Sequence, residues 1–267
     1  MRSVRQKGAK GTTKVPTAGG RLRELFEPIN RSTMHERVYE QIRDAFASGR
    51  VVPGQRIVIR EFARSFGTSM MPIRDSLRRL EAENAVVTTT GRNLAVPIMT
   101  ASDYEELCLI RVSLEGLAAS EAAKTITAAQ IKEASECAGR MEDAFDSRDA
   151  EGTMRFNRKF HFSVYAGAHR PLLLKMIESL WLRVGPQLAF AIRHDIHGGE
   201  VVRSPYHPHR QTLAALRVRD SRSASLAIAY DISRAGQIIA EYLRKTKDDA
   251  RPHVRTSRRT NGKEDRK

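Results

Sequence analysis

Short amphipathic helices and one β-prone hairpin are predicted for the N-terminal part of the chain. Apolar residues recur three or four positions apart over roughly 33–49, 60–66 and 69–84, which is the spacing of one helix face. Gly67 breaks the pattern between the second and third segments. The stretch VVTTTGRNLAV, residues 86–96, has β-prone residues on both sides of a Gly-Arg-Asn turn. This order of elements predicts a winged helix-turn-helix, in which the second helix of the pair enters the DNA major groove.

The rest of the chain has only helical periodicity. Apolar stripes continue from Ser102 to about Lys245, divided by prolines and glycines. The predicted helices are roughly 103–124, 128–147, 150–168, 171–196, 203–219 and 222–245. The predicted fold is therefore mainly α. A winged helix-turn-helix with a small β-hairpin wing over residues 24–100 is followed by an all-α antiparallel helical bundle over residues 101–245.

Three helix starts have candidate capping side chains. Ser69 stands before the third N-terminal helix, where a hydroxyl oxygen can accept from a free backbone N–H. Ser102 with Glu105, and Thr127 with Gln130, have the spacing of a capping box. We expect all three to mark helix N-termini.

The positive charge of the chain is concentrated at its two ends. Of a net charge of +15, residues 1–23 contribute +7 and residues 244–267 contribute +6. Both ends are poor in apolar residues, so residues 1–23 and 246–267 are predicted to be disordered basic tails. Such tails favour a polyanion partner through counterion release, and a contribution to solubility alone is the alternative interpretation.

The composition argues against a membrane or secreted protein. There is no run of 18 apolar residues, and no apolar stretch follows the basic N-terminus. Cys108 and Cys137 both fall in predicted helices and are expected to be reduced core thiols. The chain is predicted to be cytoplasmic, with no membrane partner.

Several segments carry a specific sequence pattern. They are VYEQIRDAFASGRVVPGQRI, REFARSFGTSMMPIRDSLRRLEAENAVV, LIRVSLEGLAASEAA, FNRKFHFSVYAGAHRPLL and HPHRQTLAALRVRDSRSA. On these segments the chain resembles the GntR family of bacterial transcription regulators, in the subgroup with an FCD effector domain, over about residues 30–245. The resemblance implies a homodimer that binds a pseudo-palindromic operator in double-stranded DNA. It also implies a helical domain that binds a small, often carboxylate-bearing effector, frequently beside a metal ion.

The resemblance assigns a set of residues to the DNA surface. Arg60 and Arg74 match family arginines that contact DNA, and an arginine at position 74 can read a guanine edge or clamp a phosphate. The residues expected at the DNA are Arg60, Ser69, Met70, Arg74, Gly91 and Arg92. Met70 stands where many members carry arginine or another polar residue, so a family operator sequence does not transfer to this chain. Arg78 and Arg79 are interpreted mainly as a solvated face.

Four polar side chains interrupt apolar helix faces in the second domain. Asn157 and His161 are four residues apart, His209 leads a later stripe, and Asp231 lies among alanines and isoleucines. A shared cation would explain all four, because a carboxylate is costly to bury alone. The resemblance implies a metal site here, although Asn157 replaces a family Asp and Asp231 replaces a family His. His207, between two prolines, ranks behind His209.

The identity of the metal stays open. A mixed set of imidazole, carboxylate and amide groups is compatible with zinc, nickel or manganese. The alternative is that the four residues form hydrogen bonds around an organic effector. No organic cofactor is expected in either case.

Arg111 is a separate candidate for effector binding. It lies on an apolar stripe, and Glu115 follows one helical turn later. A planar guanidinium suits the bidentate recognition of an effector carboxylate. A buried ion pair between Arg111 and Glu115 is the alternative interpretation.

The predicted function is sequence-specific regulation of transcription, as a repressor whose operator affinity is controlled by a small carboxylate metabolite. A metal-dependent enzyme is one alternative, but the chain has no HExxH motif, phosphate-binding glycine loop or nucleophile elbow. A non-specific architectural DNA-binding protein is another, and the zero net charge of residues 101–243 argues against it. We therefore expect no catalytic residues.

Overall fold

The computed structural model describes residues 32–89, 91, 93–194 and 207–249. Within these ranges the chain forms nine α-helices and three short β-strands. The N-terminal elements are α1 (Ser32–Ala47), β1 (Arg56–Ile57), α2 (Ile59–Ser65), α3 (Met70–Ala82), β2 (Val87–Thr88) and β3 (Leu94–Ala95). The later helices are α4 (Ala101–Thr125), α5 (Ala128–Asp146), α6 (Ala150–Ala166), α7 (Pro171–Arg193), α8 (Pro208–Arg217) and α9 (Ser221–Asp249). The predicted mainly α fold is confirmed.

Helices α2 and α3 form a helix-turn-helix that packs against α1. Gly67 makes the turn between them with a φ of +60°, in the left-handed region that favours glycine. Ile73, Leu77 and Leu80 form the apolar stripe of α3, are at most 1% exposed, and share a core with Phe46 of α1. The predicted apolar face of α3 is therefore its buried face, and its arginines lie on the exposed side.

The wing is a three-stranded antiparallel sheet. Strands β2 and β3 form the predicted hairpin, with Val87 opposite Ala95. Strand β1 pairs with the other edge of β3, with Arg56 opposite Ala95, so the strand order is β1-β3-β2. The pairing of β1 could not be predicted from the sequence, because two residues carry too little alternation to identify a strand.

The second part of the chain is a helical bundle around one apolar core. Helix α4 packs mainly against α9, and α5 packs mainly against α6. Tyr104, Phe160 and Trp181 are among the largest side chains in this core, and each is at most 1% exposed. Cys108 and Cys137 are buried and unpaired. None of the helices in the described part of the chain is both long enough and apolar enough to cross a bilayer.

The observed helix starts confirm one predicted capping box and correct another. Thr127 and Gln130 form the predicted box at the start of α5. At the start of α4, the box is formed by Thr100 and Asp103, so the prediction for Ser102 is wrong. The sequence allowed both positions because two overlapping pairs have the same spacing, and the helix takes the earlier pair.

Helix α9 extends beyond its predicted end. It runs to Asp249, so the first residues of the predicted tail 246–267 are helical rather than disordered. No proline or glycine occurs between Gly236 and Pro252, and the local sequence therefore contains no strong stop signal. The predicted tail 1–23 and residues 250–267 lie outside the described residues.

The two parts of the chain meet where the end of α1 crosses α7 at very short range. A Cβ on Gly185 would lie 2.4 Å from the carbonyl oxygen of Phe46, and one on Gly49 would lie 2.1 Å from the Cβ of Ala189. Leu182 of α7 is fully buried and belongs to the apolar core of the N-terminal part. Two glycines therefore permit the backbone approach that joins the helix-turn-helix to the bundle.

We predict that Gly185→Ala destabilises the protein by about 1–3 kcal/mol, since overpacking at the crossing outweighs the gain in helix propensity. Gly139→Ala in α5 is the matched control, because a Cβ there would meet nothing within 4 Å. The control should stabilise the protein by about 0.5–1 kcal/mol. Denaturant unfolding of the two variants measures the difference, and equal stabilisation by both would contradict a tight crossing.

Candidate functional site

The N-terminus of α3 and the first strand border an open basic depression. Arg56, Arg60 and Arg74 line it together with Met70 and Asn93. All three arginines are exposed, and no acidic side chain is among the described residues that line the depression. The Nη2 of Arg56 donates to Oδ1 of Asn93 at 2.8 Å. Three residues that the sequence assigned to DNA thus lie on one surface, and Arg56 joins them.

Helix α3 exposes its N-terminus at this surface. Ser69 is the N-cap residue, as predicted, but its hydroxyl accepts no capping hydrogen bond from the described helix. The side chain is instead exposed to solvent. Uncapped first-turn N–H groups can bind an anion such as a phosphate. Met70 is 40% exposed beside them and offers an apolar contact.

The remaining DNA candidates differ in their surroundings. Gly91 is exposed at the hairpin turn, whereas Arg92 lies outside the described residues. Nη1 of Arg79 donates to Oε2 of Glu36 at 3.0 Å, which holds Arg79 against α1. Arg78 is exposed on α3 but does not line the basic depression. Ser69, Met70 and Arg74 therefore lie at the first turns of α3, whereas Arg60 lies on α2 and Gly91 on the wing.

The helical bundle contains a cavity of about 120 Å³ that is lined by both polar and apolar side chains. Its main polar residues are Thr153, Asn157, His161, His207, His209, Asp231 and Arg234. The first three recur every four residues along α6, so one face of that helix borders the cavity. The others come from the start of α8 and from α9. All four residues predicted as metal ligands line this cavity.

Three of these side chains direct ligand atoms at one another. Nε2 of His161 lies 3.3 Å from Oδ2 of Asp231, and Nε2 of His209 lies 3.7 Å from the same oxygen. One ligand atom from each residue falls within 4.8 Å of the others. Two ligands of a tetrahedral zinc ion, each roughly 2.0–2.1 Å from it, stand about 3.3 Å apart. The spacing therefore suits a small divalent cation.

Burial and mutual attraction set the charges in the cavity. Burial alone would raise the pKa of the Asp231 carboxyl, but His209 and His161 bring it well below its ordinary value. Burial lowers the pKa of His209, against the attraction of Asp231. Burial also lowers the pKa of His207 to about 4, and His209 adds to that shift. At neutral pH the cavity thus offers the carboxylate of Asp231 and the neutral imidazole of His209, the protonation states that bind metal.

His209 provides the clearest test of whether a metal ion fits. Both of its ring nitrogens are buried and have no hydrogen-bond partner among the described residues. The 3.7 Å separation from Asp231 is too long for a hydrogen bond. A buried polar atom without a partner costs about 1–3 kcal/mol. A cation shared with Asp231 would satisfy one of these nitrogens, so the residues present fit a divalent metal.

Arg111 borders the cavity but is engaged inside the protein. Its Nε and Nη2 donate to Glu115 at 2.6 and 3.3 Å, and the two residues are 5% and 0% exposed. Glu115 also accepts from the Tyr165 hydroxyl at 2.5 Å and from the Trp181 indole at 3.2 Å. The buried pair is therefore present, and the effector-binding role of Arg111 stays a prediction.

Comparisons with known proteins match both parts of the chain. The family described as bacterial regulatory proteins, gntR family, matches residues 34–96, and the FCD domain matches residues 106–234. The chain is 28% identical over 192 residues to the HTH-type transcriptional regulator McbR of Escherichia coli (strain K12), covering 72% of this chain and 86% of McbR. This chain belongs to the GntR family. Its second domain is an FCD domain.

Further relatives of this GntR-family chain are also transcription regulators. One, named "Probable D-xylose utilization operon transcriptional repressor" of Paenarthrobacter nicotinovorans, is 27% identical over 208 residues, which cover 77% of this chain and 88% of the relative. The solved structure of E. coli McbR/YncC has a TM-score of 0.68 at 25% identity and covers 79% of this chain and 98% of that one. The structure of a GntR regulator from Rhodococcus sp. RHA1 has a TM-score of 0.55 at 20% identity. The match covers 80% of this chain and 96% of that chain, and it supports the fold alone. The relatives are transcription regulators, so the enzyme alternative is set aside.

Three residues of this GntR-family chain lie near these sites but were not predicted from the sequence. Arg56 was missed because the pairing of β1 was not predicted. Tyr165 was missed because an aromatic residue four positions after His161 continues the face of α6 and is typical of an apolar core. Arg234 could have been found, because it lies three residues after Asp231 and so shares its face of α9. Its Nη1 donates to the Tyr230 hydroxyl at 3.2 Å, and no carboxylate in the described ranges pairs with it.

Proposed function

We propose that this chain is a cytoplasmic, homodimeric repressor that binds a pseudo-palindromic operator and is controlled by a small carboxylate held beside a divalent metal in the FCD cavity. The observation that carries the proposal is the cluster of His161, His209 and Asp231, in which His209 is buried with no hydrogen-bond partner among the described residues. The printed name of one relative, a transcriptional repressor, supports repression rather than activation.

The DNA-binding half of the proposal is supported by the basic depression. Arg74, one turn into α3, reads a base edge, and Arg60 holds the phosphate backbone. Ser69 and the N–H groups at the start of α3 contact a phosphate, while Met70 packs on an apolar group such as a thymine methyl. Gly91 and Arg92 at the wing reach the adjacent backbone. These contacts serve one half-site.

A homodimer is supported by apolar side chains exposed on two neighbouring helices. Leu109 and Leu117 of α4 are 71% and 50% exposed, and Leu226 and Tyr230 of α9 are 59% and 50% exposed. Large exposed apolar surfaces mark interaction sites more often than single exposed residues do. A second copy of the chain would cover these residues and supply the second reading helix that a two-half-site operator requires.

In the cavity, His161, His209 and Asp231 would hold the metal ion, with Asn157 as a weaker fourth ligand. Zinc, nickel and manganese all suit this set. The bound ion would orient an effector carboxylate. The guanidinium of Arg234, which lines the same cavity, would add a second positive charge. Arg111 remains a second candidate counter-charge, although it is already paired with Glu115.

Helix α6 supports a route between the cavity and the DNA-binding part. It presents Asn157 to the cavity, while the next residue, Arg158, donates to Oδ1 of Asp44 on α1 at 2.6 Å. Asp44 also accepts from Arg50 at 2.5 Å. A shift of α6 would therefore move or break the Arg158–Asp44 contact with α1. Only an effector that prefers one arrangement of these helices can change operator affinity.

We predict that Arg74→Ala weakens binding to a selected operator by about 1–3 kcal/mol and relaxes base preference, because a bidentate base contact is lost. Arg78→Ala, on the same helix but outside the basic depression, is the control and should change affinity little. Fluorescence anisotropy on operator and random DNA measures both. Equal losses on the two DNAs for Arg74→Ala would identify the arginine as a phosphate contact instead.

We predict stoichiometric binding of zinc, nickel or manganese to the purified, untagged protein. His161→Ala and His209→Ala should each weaken that binding by more than the roughly 10–100-fold expected for loss of an outer-sphere partner. His207→Asn is the control, since it alters a neighbouring cavity histidine while keeping a residue suited to the N-cap of α8. Calorimetry and elemental analysis give affinity and stoichiometry. Retention of metal by both alanine variants would show that the assigned ligands are wrong.

A further inference from the structure

Tyr165 connects the cavity to the buried charges behind it. Its hydroxyl oxygen lies 2.5 Å from Oε2 of Glu115 and 2.9 Å from Nδ1 of His161. All three side chains are at most 2% exposed. The far nitrogen of His161, Nε2, lies 3.3 Å from Asp231. A continuous chain of hydrogen bonds therefore runs from Glu115 to the imidazole at the cluster of candidate ligands.

Glu115 determines which group donates and which accepts in these hydrogen bonds. It is paired with the guanidinium of Arg111, which stays protonated in proteins, so its carboxylate oxygens act only as acceptors. A tyrosine hydroxyl has one proton, and that proton is directed to Glu115 at the shorter of the two contacts. The oxygen of Tyr165 then accepts, and the donor facing it is Nδ1–H of His161.

The opposite direction is disfavoured by the same groups. If Tyr165 donated to His161, its oxygen would face the Glu115 carboxylate at 2.5 Å with no proton between them. The imidazole proton of a neutral His161 would then sit on Nε2, where it would exclude a metal ion. A buried acceptor facing another acceptor is costly.

We infer that Tyr165 is a positioning residue which, oriented by Glu115, fixes His161 in the Nδ1–H tautomer and so presents the Nε2 lone pair to a divalent metal ion. This inference rests on the proposed metal site. It gives Arg111 and Trp181 a supporting part in that site, because both hold the Glu115 carboxylate in place. Outer-sphere partners of this kind orient metal-binding histidines and raise their affinity for the ion.

Tyr165→Phe tests the inference by removing one oxygen atom while keeping the ring. Zinc affinity, measured by calorimetry, should fall roughly 10–100-fold. Tyr104→Phe is the matched control. Tyr104 also lines the cavity and is 1% exposed, but it is not a hydrogen-bond partner of His161. Unchanged zinc affinity in Tyr165→Phe, or an equal loss in Tyr104→Phe, would overturn the proposal.

The imidazole nitrogen shifts of His161 provide a second measurement that needs no variant. In the zinc-loaded parent protein, ¹⁵N NMR should show the proton of His161 on Nδ1 and its Nε2 bound to zinc. Zinc bound to Nδ1, with the proton on Nε2, would overturn the inference. Absence of zinc binding in the parent protein would instead contradict the proposed metal site, on which the inference rests.

Discussion

A carboxylate buried in an apolar core must be fully satisfied, and Glu115 imposes this constraint on the helical bundle. It is 0% exposed and receives donors from Arg111 on its own helix, from Tyr165 on α6 and from Trp181 on α7. Removing one partner of a buried charge typically costs about 3–5 kcal/mol, so these contacts define how three helices pack. Because Tyr165 also meets His161, the same constraint orients one edge of the cavity.

The cavity and the DNA-binding part are joined by elements that serve both. Helix α6 carries His161 toward the cavity and Arg158 toward Asp44 of α1. Helix α7 crosses α1 so closely that only glycine fits at Gly185, and its Leu182 completes the core of the helix-turn-helix. Packed cores shift between discrete arrangements rather than deforming continuously, so a change at the cavity has a physical route to α3.

The elements that could be predicted from the sequence are those with long or repeated patterns. The stripe of Ile73, Leu77 and Leu80 predicts the buried face of α3, and the 3.6-residue period predicts the helices of the bundle. Strand β1 has two residues and no period, so its pairing with β3 was not predictable. The cap of α4 was misassigned because the sequence allows two overlapping capping boxes, and the structure has the one at Thr100.

In the candidate sites too, the residues with a local sequence pattern were predicted and their long-range partners were not. His161, His209 and Asp231 were predicted together because polar residues interrupt apolar stripes, and this signal does not depend on their separation in the sequence. Their partners were harder to find. Tyr165 reads as a core aromatic, and its contact with Glu115 joins residues 50 positions apart. The roles of such residues depend on which helices pack together, and local sequence patterns do not contain that information.

If occupancy of the FCD cavity changes operator affinity, the two binding events must be thermodynamically linked. Operator dissociation constants of the zinc-loaded protein should be measured with a panel of short-chain mono-, di- and hydroxycarboxylic acids, each of which is also titrated by calorimetry. We expect at least one acid to bind and to change operator affinity by roughly 5–150-fold, and we expect the operator to change the affinity for that acid by the same factor. His161→Ala should remove both effects. Acids that bind the cavity without changing operator affinity, or a complete absence of binding across the panel, would show that the cavity does not control DNA binding.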